Sequence, residues 1–264
     1  MQEKKNKKQT VQKAALWLIL IILVLGAGTA IYAKQHGYFG QQTSKNAQSK
    51  PMALKKTTTL TDSQIWGYPF SKCYTKKIKY KSGQKYGKTD VIRRVYPSKS
   101  YFHDGWDFGW SEVGRRAPVL AVHSGTVKKI GYCTGLEYFV WVVSDDGYVE
   151  IYQEGFLNPS DIVVKKGQKL KVGQKIGYMS GSHLHLGVTK TDKDYITKKE
   201  KLPFKNYWKD NGTWLNPMDL ITKSLKLQEE TKQHNQEVSQ YNQSAKAHNA
   251  KLASKTAKEA AKNK

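Results

Sequence analysis

Hydrophobic positions follow four different regimes along this chain. Residues 14–33 (AALWLILIILVLGAGTAIYA) run without a charge or a proline. At 1.5 Å per residue this run reaches about 30 Å, the thickness of a bilayer's hydrocarbon core, and predicts a membrane-spanning helix. A soluble helix of that length would keep a polar face, and none is visible. Residues 34–61 are rich in Gln, Ser, Thr and Lys and poor in apolar side chains, the composition of a linker. Between 62 and 222, short apolar or alternating segments recur at 119–122, 138–143, 148–152, 175–178 and 183–188. Turn signals separate them at Ser124-Gly125, Asp145-Asp146-Gly147, Asn158-Pro159, Lys166-Gly167, Val172-Gly173 and Ser180-Gly181. Short strands so spaced predict an all-β domain, a β-sandwich or open barrel. Residues 223–264 contain no Gly or Pro and are rich in Ala, Lys, Gln and Glu. There Leu227, Val238, Tyr241, Ala245 and Leu252 fall near a 3-4 spacing, interrupted by Thr231, His234 and His248. That pattern predicts a solvated basic helix or disordered tail, with a partner-binding helix as the alternative.

Charge places these segments relative to a membrane. Lys4, Lys5, Lys7, Lys8 and Lys13 precede the apolar run, so residues 1–13 are expected in the cytoplasm and the remainder outside it. A cleaved signal peptide, cut after small residues such as Gly28 and Ala30, is the alternative and leads to secretion. The whole chain has 45 Lys+Arg against 21 Asp+Glu, a formal net charge of +24, and only 38% hydrophobic residues. Linker and tail account for an apolar share below the usual 45–50%. The 16 Tyr, 7 Trp and 7 Phe exclude full disorder, and two cysteines exclude both a disulfide-scaffolded mini-domain and a four-thiolate zinc ribbon. Cys73 and Cys133 are expected where a disulfide can persist, and the sequence leaves their pairing open. On that side of the membrane the positive charge predicts an anionic wall polymer or membrane surface as neighbour, and no nucleic acid. The basic stretch 76–88 (KKIKYKSGQKYGK) reads as a solvated, lysine-protected edge.

Candidate chemistry is concentrated in four histidines between 103 and 185. His103-Asp104-Gly105-Trp106-Asp107 sets an imidazole and a carboxylate four residues apart across a glycine. His183-Leu184-His185 sets two imidazoles two apart, and on a strand such positions share one face. Both spacings together, with the central glycine, are expected by chance in fewer than about one chain in a hundred of this composition. Imidazoles and one carboxylate form the ligand set of a catalytic zinc site that keeps one position open. His123 falls in a strand-to-turn segment and reads as structural, while His36, His234 and His248 lie in linker or tail.

At these residues the chain resembles the LytM/lysostaphin-type zinc metallopeptidases, peptidase family M23, which cut peptide bonds in bacterial peptidoglycan. The family pattern, His-x-Gly-x-Asp followed by His-Leu-His, reads HDGWD at 103–107 and HLH at 183–185. Residues 164–177 (VKKGQKLKVGQKIG) are similar to the hairpin that precedes the histidines, and 214–220 (WLNPMDL) to the closing segment, so the motif core covers 100–220. The resemblance implies one zinc ion bound by His103, Asp107 and His185, with His183 beside the metal-bound water as a catalytic residue. One position departs from the pattern. Where the family has Tyr-x-His, this chain reads Tyr152-Gln153-Glu154, placing Glu154 there, or Gln153 if the register slips. Glu154 is expected to act as the general base of an active endopeptidase. The alternative is a catalytically impaired domain that binds peptidoglycan or activates another wall hydrolase. Asp62 and Asp90 are weighed as caps for the open metal position, without a specific signal.

Overall fold

A computed structural model describes residues 50–95, 98–190 and 209–263. The apolar run at 14–33 and its basic flank lie outside the described residues. Among the described residues no helix is long and apolar enough to cross a membrane.

The described chain falls into two compact units, the larger of which is Leu54–Ser244. Its strands are β1 (Gly87–Lys88), β2 (Phe102–His103), β3 (Gly105–Gly109), β4 (Pro118–Leu120), β5 (Gly125–Cys133) and β6 (Glu137–Val143). They continue with β7 (Val149–Phe156), β8 (Lys169–Leu170), β9 (Lys175–Tyr178), β10 (His183–Thr189) and β11 (Trp214–Leu215). Two one-turn helices interrupt them, α1 (Lys72–Thr75) and α2 (Trp110–Val113), and a long helix follows, α3 (Pro217–Lys262). A curled seven-stranded antiparallel sheet dominates, in the order β11-β10-β7-β6-β5-β8. β3 joins the same edge of β10 as β11, pairing with His183–Gly187 while β11 pairs with Val188 and Thr189. β1 with β2, and β4 with β9, form two small antiparallel pairs. The domain is therefore mostly β, built on one curled sheet with small satellites rather than on two facing sheets of equal size.

Strand parity divides the core. Leu184, Leu186 and Val188 point to one face of β10 and join Phe108, Val140, Val142, Tyr152 and Phe156 in the larger apolar cluster. Phe102, Phe139, Trp141, Val143, Val149, Ile151 and Trp214 form a second cluster. Burying side chains of this size stabilises the domain by about 1.5–3 kcal/mol each, and this fixes the register: a one-residue slip of β10 would send its leucines out and its histidines in.

Helix α3 starts where the local chemistry requires. The Asn216 side-chain oxygen accepts from the Met218 amide at 3.1 Å, and Pro217 occupies the first helical position, where a missing N–H costs nothing. Its first turns dock through buried Ile221 and Ser224. The Trp66 amide donates to the Ser224 hydroxyl at 2.8 Å, and the Gln228 amide donates to the Trp66 carbonyl at 2.9 Å.

The segment read as linker is partly held in place. Asn235 accepts from the Thr58 amide at 2.8 Å and donates to the Thr58 carbonyl at 2.7 Å. Asn242 makes the same pair with Lys55, at 2.8 Å each way. Seven helical residues rise about 10.5 Å, and three residues of extended chain rise about 9–10 Å, so the two repeats keep step. In the smaller unit, whose described residues are 50–53 and 245–263, Asn249 pairs with Met52 at 2.7 and 2.9 Å. The signal was present in the sequence as three asparagines seven apart. Replacing Asn242 by Ala removes two of these bonds and is expected to weaken local protection by about 1–2 kcal/mol. Hydrogen exchange is the check: the Lys55 amide should exchange roughly tenfold faster than in the parent chain, and unchanged protection would refute the strap.

Candidate metal centre

The central pairing of the site is cross-strand. His185 lies opposite Asp107 in the β10–β3 ladder, and Gly187 lies opposite Gly105. Gly105 is required by that arrangement. A Cβ there would press on Nε2 of His185 and lie 2.7 Å from its Cε1, so only glycine lets the imidazole rest over the backbone of β3. His103 arrives from the end of β2, one residue before the bend at Asp104.

Three atoms converge. Nε2 of His103 lies 3.1 Å from Nδ1 of His185 and 3.2 Å from Oδ1 of Asp107, and Nδ1 of His185 lies 3.0 Å from the same Oδ1. A tetrahedral ion with bonds of about 2.0–2.1 Å holds its ligand atoms about 3.3 Å apart. The triangle therefore fits one small ion, and no other group of three or more His, Cys, Asp or Glu is so arranged among the described residues. All three side chains are buried. Nδ1 of His103 faces the Lys85 carbonyl at 2.9 Å, which as an acceptor holds a proton on Nδ1 and leaves the Nε2 lone pair directed at the triangle. The Gln84 amide donates to the Asp107 backbone carbonyl at 3.4 Å. The basic stretch 76–88 thus supports two of the candidate ligands, His103 and Asp107, a role composition did not signal.

Electrostatics make the triangle a place for a cation. Burial opposes the charged form of His185, but the carboxylates of Asp104, whose Oδ1 is 3.7 Å from Nε2, and of Asp107 raise it to about 9. Burial also opposes ionisation of Asp107, yet bonding to His103 and His185 holds its carboxyl far below the usual range.

Beside the triangle stand His183 and Glu154. Nε2 of His183 lies 2.8 Å from Oε2 of Glu154 and 3.9 Å from Oδ2 of Asp107, and its Nδ1 lies 2.9 Å from the Ser182 hydroxyl. The Glu154 carboxylate raises His183 above the ordinary imidazole value against burial, and in turn Glu154 is lowered, burial again opposing.

Alternation alone would not bring Glu154 here. Gln153 is the residue opposite His185 in the β7–β10 ladder, whereas Tyr152 bonds behind the sheet, its hydroxyl accepting from the Val122 amide at 2.8 Å. Glu150 shares that hidden side; it is fully buried, and burial pushes its carboxyl well above the ordinary range. A bulge in β7 interrupts the alternation locally: Tyr152 pairs with Val140 and Phe156 with Tyr138, leaving three residues of β7 against Phe139 alone, while Tyr152 and Phe156 still face the same core cluster. At its centre Glu154 has φ of 64°, its amide donates to the Leu136 carbonyl at 2.8 Å, and its own carbonyl sits so close to Gly181 that a Cβ there would collide with it. Bulges commonly re-aim a side chain in this way. Gln153 also reaches the cleft, donating to Oε1 of Glu154 at 3.3 Å. The structure thus brings His103, Asp107, His183, His185, Glu154 and Gln153 together, along the wall of a cavity of about 380 Å³ for those it lines.

The model of peptidase family M23 matches residues 101–197, which contain every one of these side chains. A crystal structure of cbpa from L. salivarius REN is 38% identical, aligned over 62% of this chain and 98% of that one, with a TM-score of 0.52.

The chain belongs to peptidase family M23.

Other solved M23-type structures are more distant. The catalytic domain of the antimicrobial peptidase lysostaphin from Staphylococcus simulans is 22% identical, over 54% of this chain and 90% of that one, with a TM-score of 0.37. A zinc-containing peptidase from Vibrio cholerae is 25% identical, over 47% of this chain and 36% of that one, with a TM-score of 0.36. No curated protein matched the chain.

Residues that sequence reading set apart from the M23 site lie elsewhere. His123 is buried and stacked on Trp66 with ring centroids 4.2 Å apart, its Nδ1 2.8 Å from the Ile65 carbonyl and its Nε2 3.2 Å from Asp146. Asp62 lines the cavity beside His123, not the metal triangle. Cys73 and Cys133 are both free thiols. Burial pushes Cys73 up to about 11, against a bond to the Tyr80 hydroxyl.

Proposed function

We propose that this M23 domain is a zinc-dependent endopeptidase that hydrolyses a peptide bond in bacterial peptidoglycan. The observation that carries the reading is the buried triangle of His103 Nε2, Asp107 Oδ1 and His185 Nδ1, with the His183–Glu154 pair alongside. Two nitrogens and one oxygen, each directed at one point and reaching it from three sides, match the donor set zinc prefers in sites that keep an open position. Zinc bound by these three residues supplies a lowered pKa for water and polarisation of the carbonyl under attack.

The remaining chemistry belongs to the chain. Glu154 Oε2, held by Nε2 of His183, accepts the proton lost by the attacking water and returns it to the leaving amine. His183, whose charged form its carboxylate partner favours, brings positive charge near the carbonyl oxygen where negative charge develops. Lys85 and Gln84 keep the ligand side chains aimed through their bonds to His103 and to the backbone of Asp107.

We assign the remaining segments from the sequence: a cytoplasmic flank, a membrane anchor at 14–33 and an extracytoplasmic domain held by its positive charge near an anionic wall or membrane surface. Full-length protein in detergent, incubated with purified peptidoglycan, tests the enzymatic reading. Release of soluble wall peptides that stops with a chelator and returns with zinc is expected. One zinc per chain without release from any wall preparation would leave the binding-domain alternative, and no zinc uptake would overturn both.

A further inference from the structure

Arg93 reaches the candidate metal centre from a segment the family motifs do not include. Its backbone amide donates to the Ser100 carbonyl at 2.8 Å, and Arg94 forms an isolated bridge with Ser100, so the backbone at Arg93 and Arg94 is held against Ser100. The guanidinium then extends inward. Nη2 donates to the Gly83 carbonyl and lies 3.7 Å from Oδ2 of Asp107, while Nε is buried with no hydrogen-bond partner among the described residues. Arg93 lines the same cavity as His103, Asp104, Gln153, Glu154 and His185.

Two features of that position bear on the metal. Oδ1 of Asp107 belongs to the ligand triangle, and Oδ2 faces outward between Arg93 at 3.7 Å and Nε2 of His183 at 3.9 Å. A carboxylate whose outer oxygen is engaged by a fixed cation stays monodentate, with its inner oxygen directed at the ion. The second feature is charge. The residues lining the cavity include the acidic Asp104 and Glu154, with Asp107 adjoining, and Arg93 is the permanent cation among them. A histidine in place of Glu154 would leave one negative charge fewer beside a reaction that itself develops negative charge.

We infer that Arg93 is a positioning residue for the metal centre: it holds the outer oxygen of Asp107 and supplies the permanent positive charge of a cavity lined by Asp104 and Glu154. The inference rests on the metal-site reading above. Arginine suits the task because its planar guanidinium keeps its charge at any working pH while Nη2 meets both the Gly83 carbonyl and the Asp107 carboxylate, whereas a lysine brings a more flexible charge.

Zinc affinity of the full chain, measured by competition with a chromogenic chelator, provides a readout independent of turnover. Arg93→Met is expected to weaken zinc binding by about 10-fold or more, with Arg93→Lys in between. With saturating zinc, Arg93→Met should lower kcat while KM moves by less than about twofold. The same substitution in a Glu154→Gln chain should cost about as much in zinc affinity, because the hold on Asp107 does not depend on Glu154. Parent-like zinc affinity in both Arg93→Met and Arg93→Lys would overturn the inference, as would a loss that disappears in the Glu154→Gln background. A parent chain that binds zinc without hydrolysing peptidoglycan would defeat the enzymatic reading alone, since the affinity comparison still decides the role of Arg93.

Discussion

Replacing His185 by alanine is expected to remove zinc from the protein and to reduce peptidoglycan hydrolysis on the order of 10³-fold or more. Its imidazole stands opposite Asp107 across the β10–β3 ladder and supplies one corner of the triangle. Without it, one nitrogen and one oxygen remain, and catalytic zinc sites are built on three protein ligands. The fold should survive, because the neighbours that fix the register, Leu184 and Leu186, point away from the site into the larger core cluster. Metal analysis and the wall-release assay give two separate readings. A His185→Ala protein that retains one zinc and parent activity would show that the ligand set is misassigned.

The second large effect is expected at Glu154. Glu154→Gln keeps the shape and the contact to His183 but cannot accept a proton, and kcat should fall by about 10²-fold or more while zinc content is unchanged. The pH profile should move as well. In the parent chain the Glu154 carboxylate raises His183, so the cationic imidazole persists to higher pH. Removing the carboxylate lowers that pKa, and His183 loses its proton earlier as pH rises; the alkaline limb of the kcat profile therefore shifts to lower pH. Glu154→His restores the histidine of the M23 pattern and should be more active than Glu154→Gln. Full activity in Glu154→Gln, with an unmoved alkaline limb, would exclude Glu154 as proton acceptor.

These expectations depend on information the linear chain carries unequally. Strand parity made His183 and His185 readable as co-facial, and the glycine between His103 and Asp107 marked the place where an imbedded imidazole needs bare backbone. The strand at 175–178 matches β9, and the asparagines at 235, 242 and 249 carried a seven-residue signal whose meaning appeared only with the strap. The tail, read as helical or disordered, is helical from Pro217 to Lys262.

Other assignments needed neighbours distant in sequence. The choice between Gln153 and Glu154 turned on a bulge in β7, produced by pairing with β6 and by the close approach of Gly181 to the Glu154 carbonyl. Lys85 and Arg93 entered the site through backbone carbonyls and a loop trajectory, features invisible in residue type. Alternation, turn chemistry and ligand spacing are local properties, and the sequence by itself determined the strands with a continuous apolar pattern, such as β4, β6, β9 and β10, the candidate ligands and the departure from Tyr-x-His at 152–154. Register and bulge position minimise exposed apolar surface across the whole sheet, a collective balance. Only the tertiary structure could therefore decide that His185 faces Asp107, that Glu154 turns toward His183, and that Arg93 stands behind the Asp107 carboxylate.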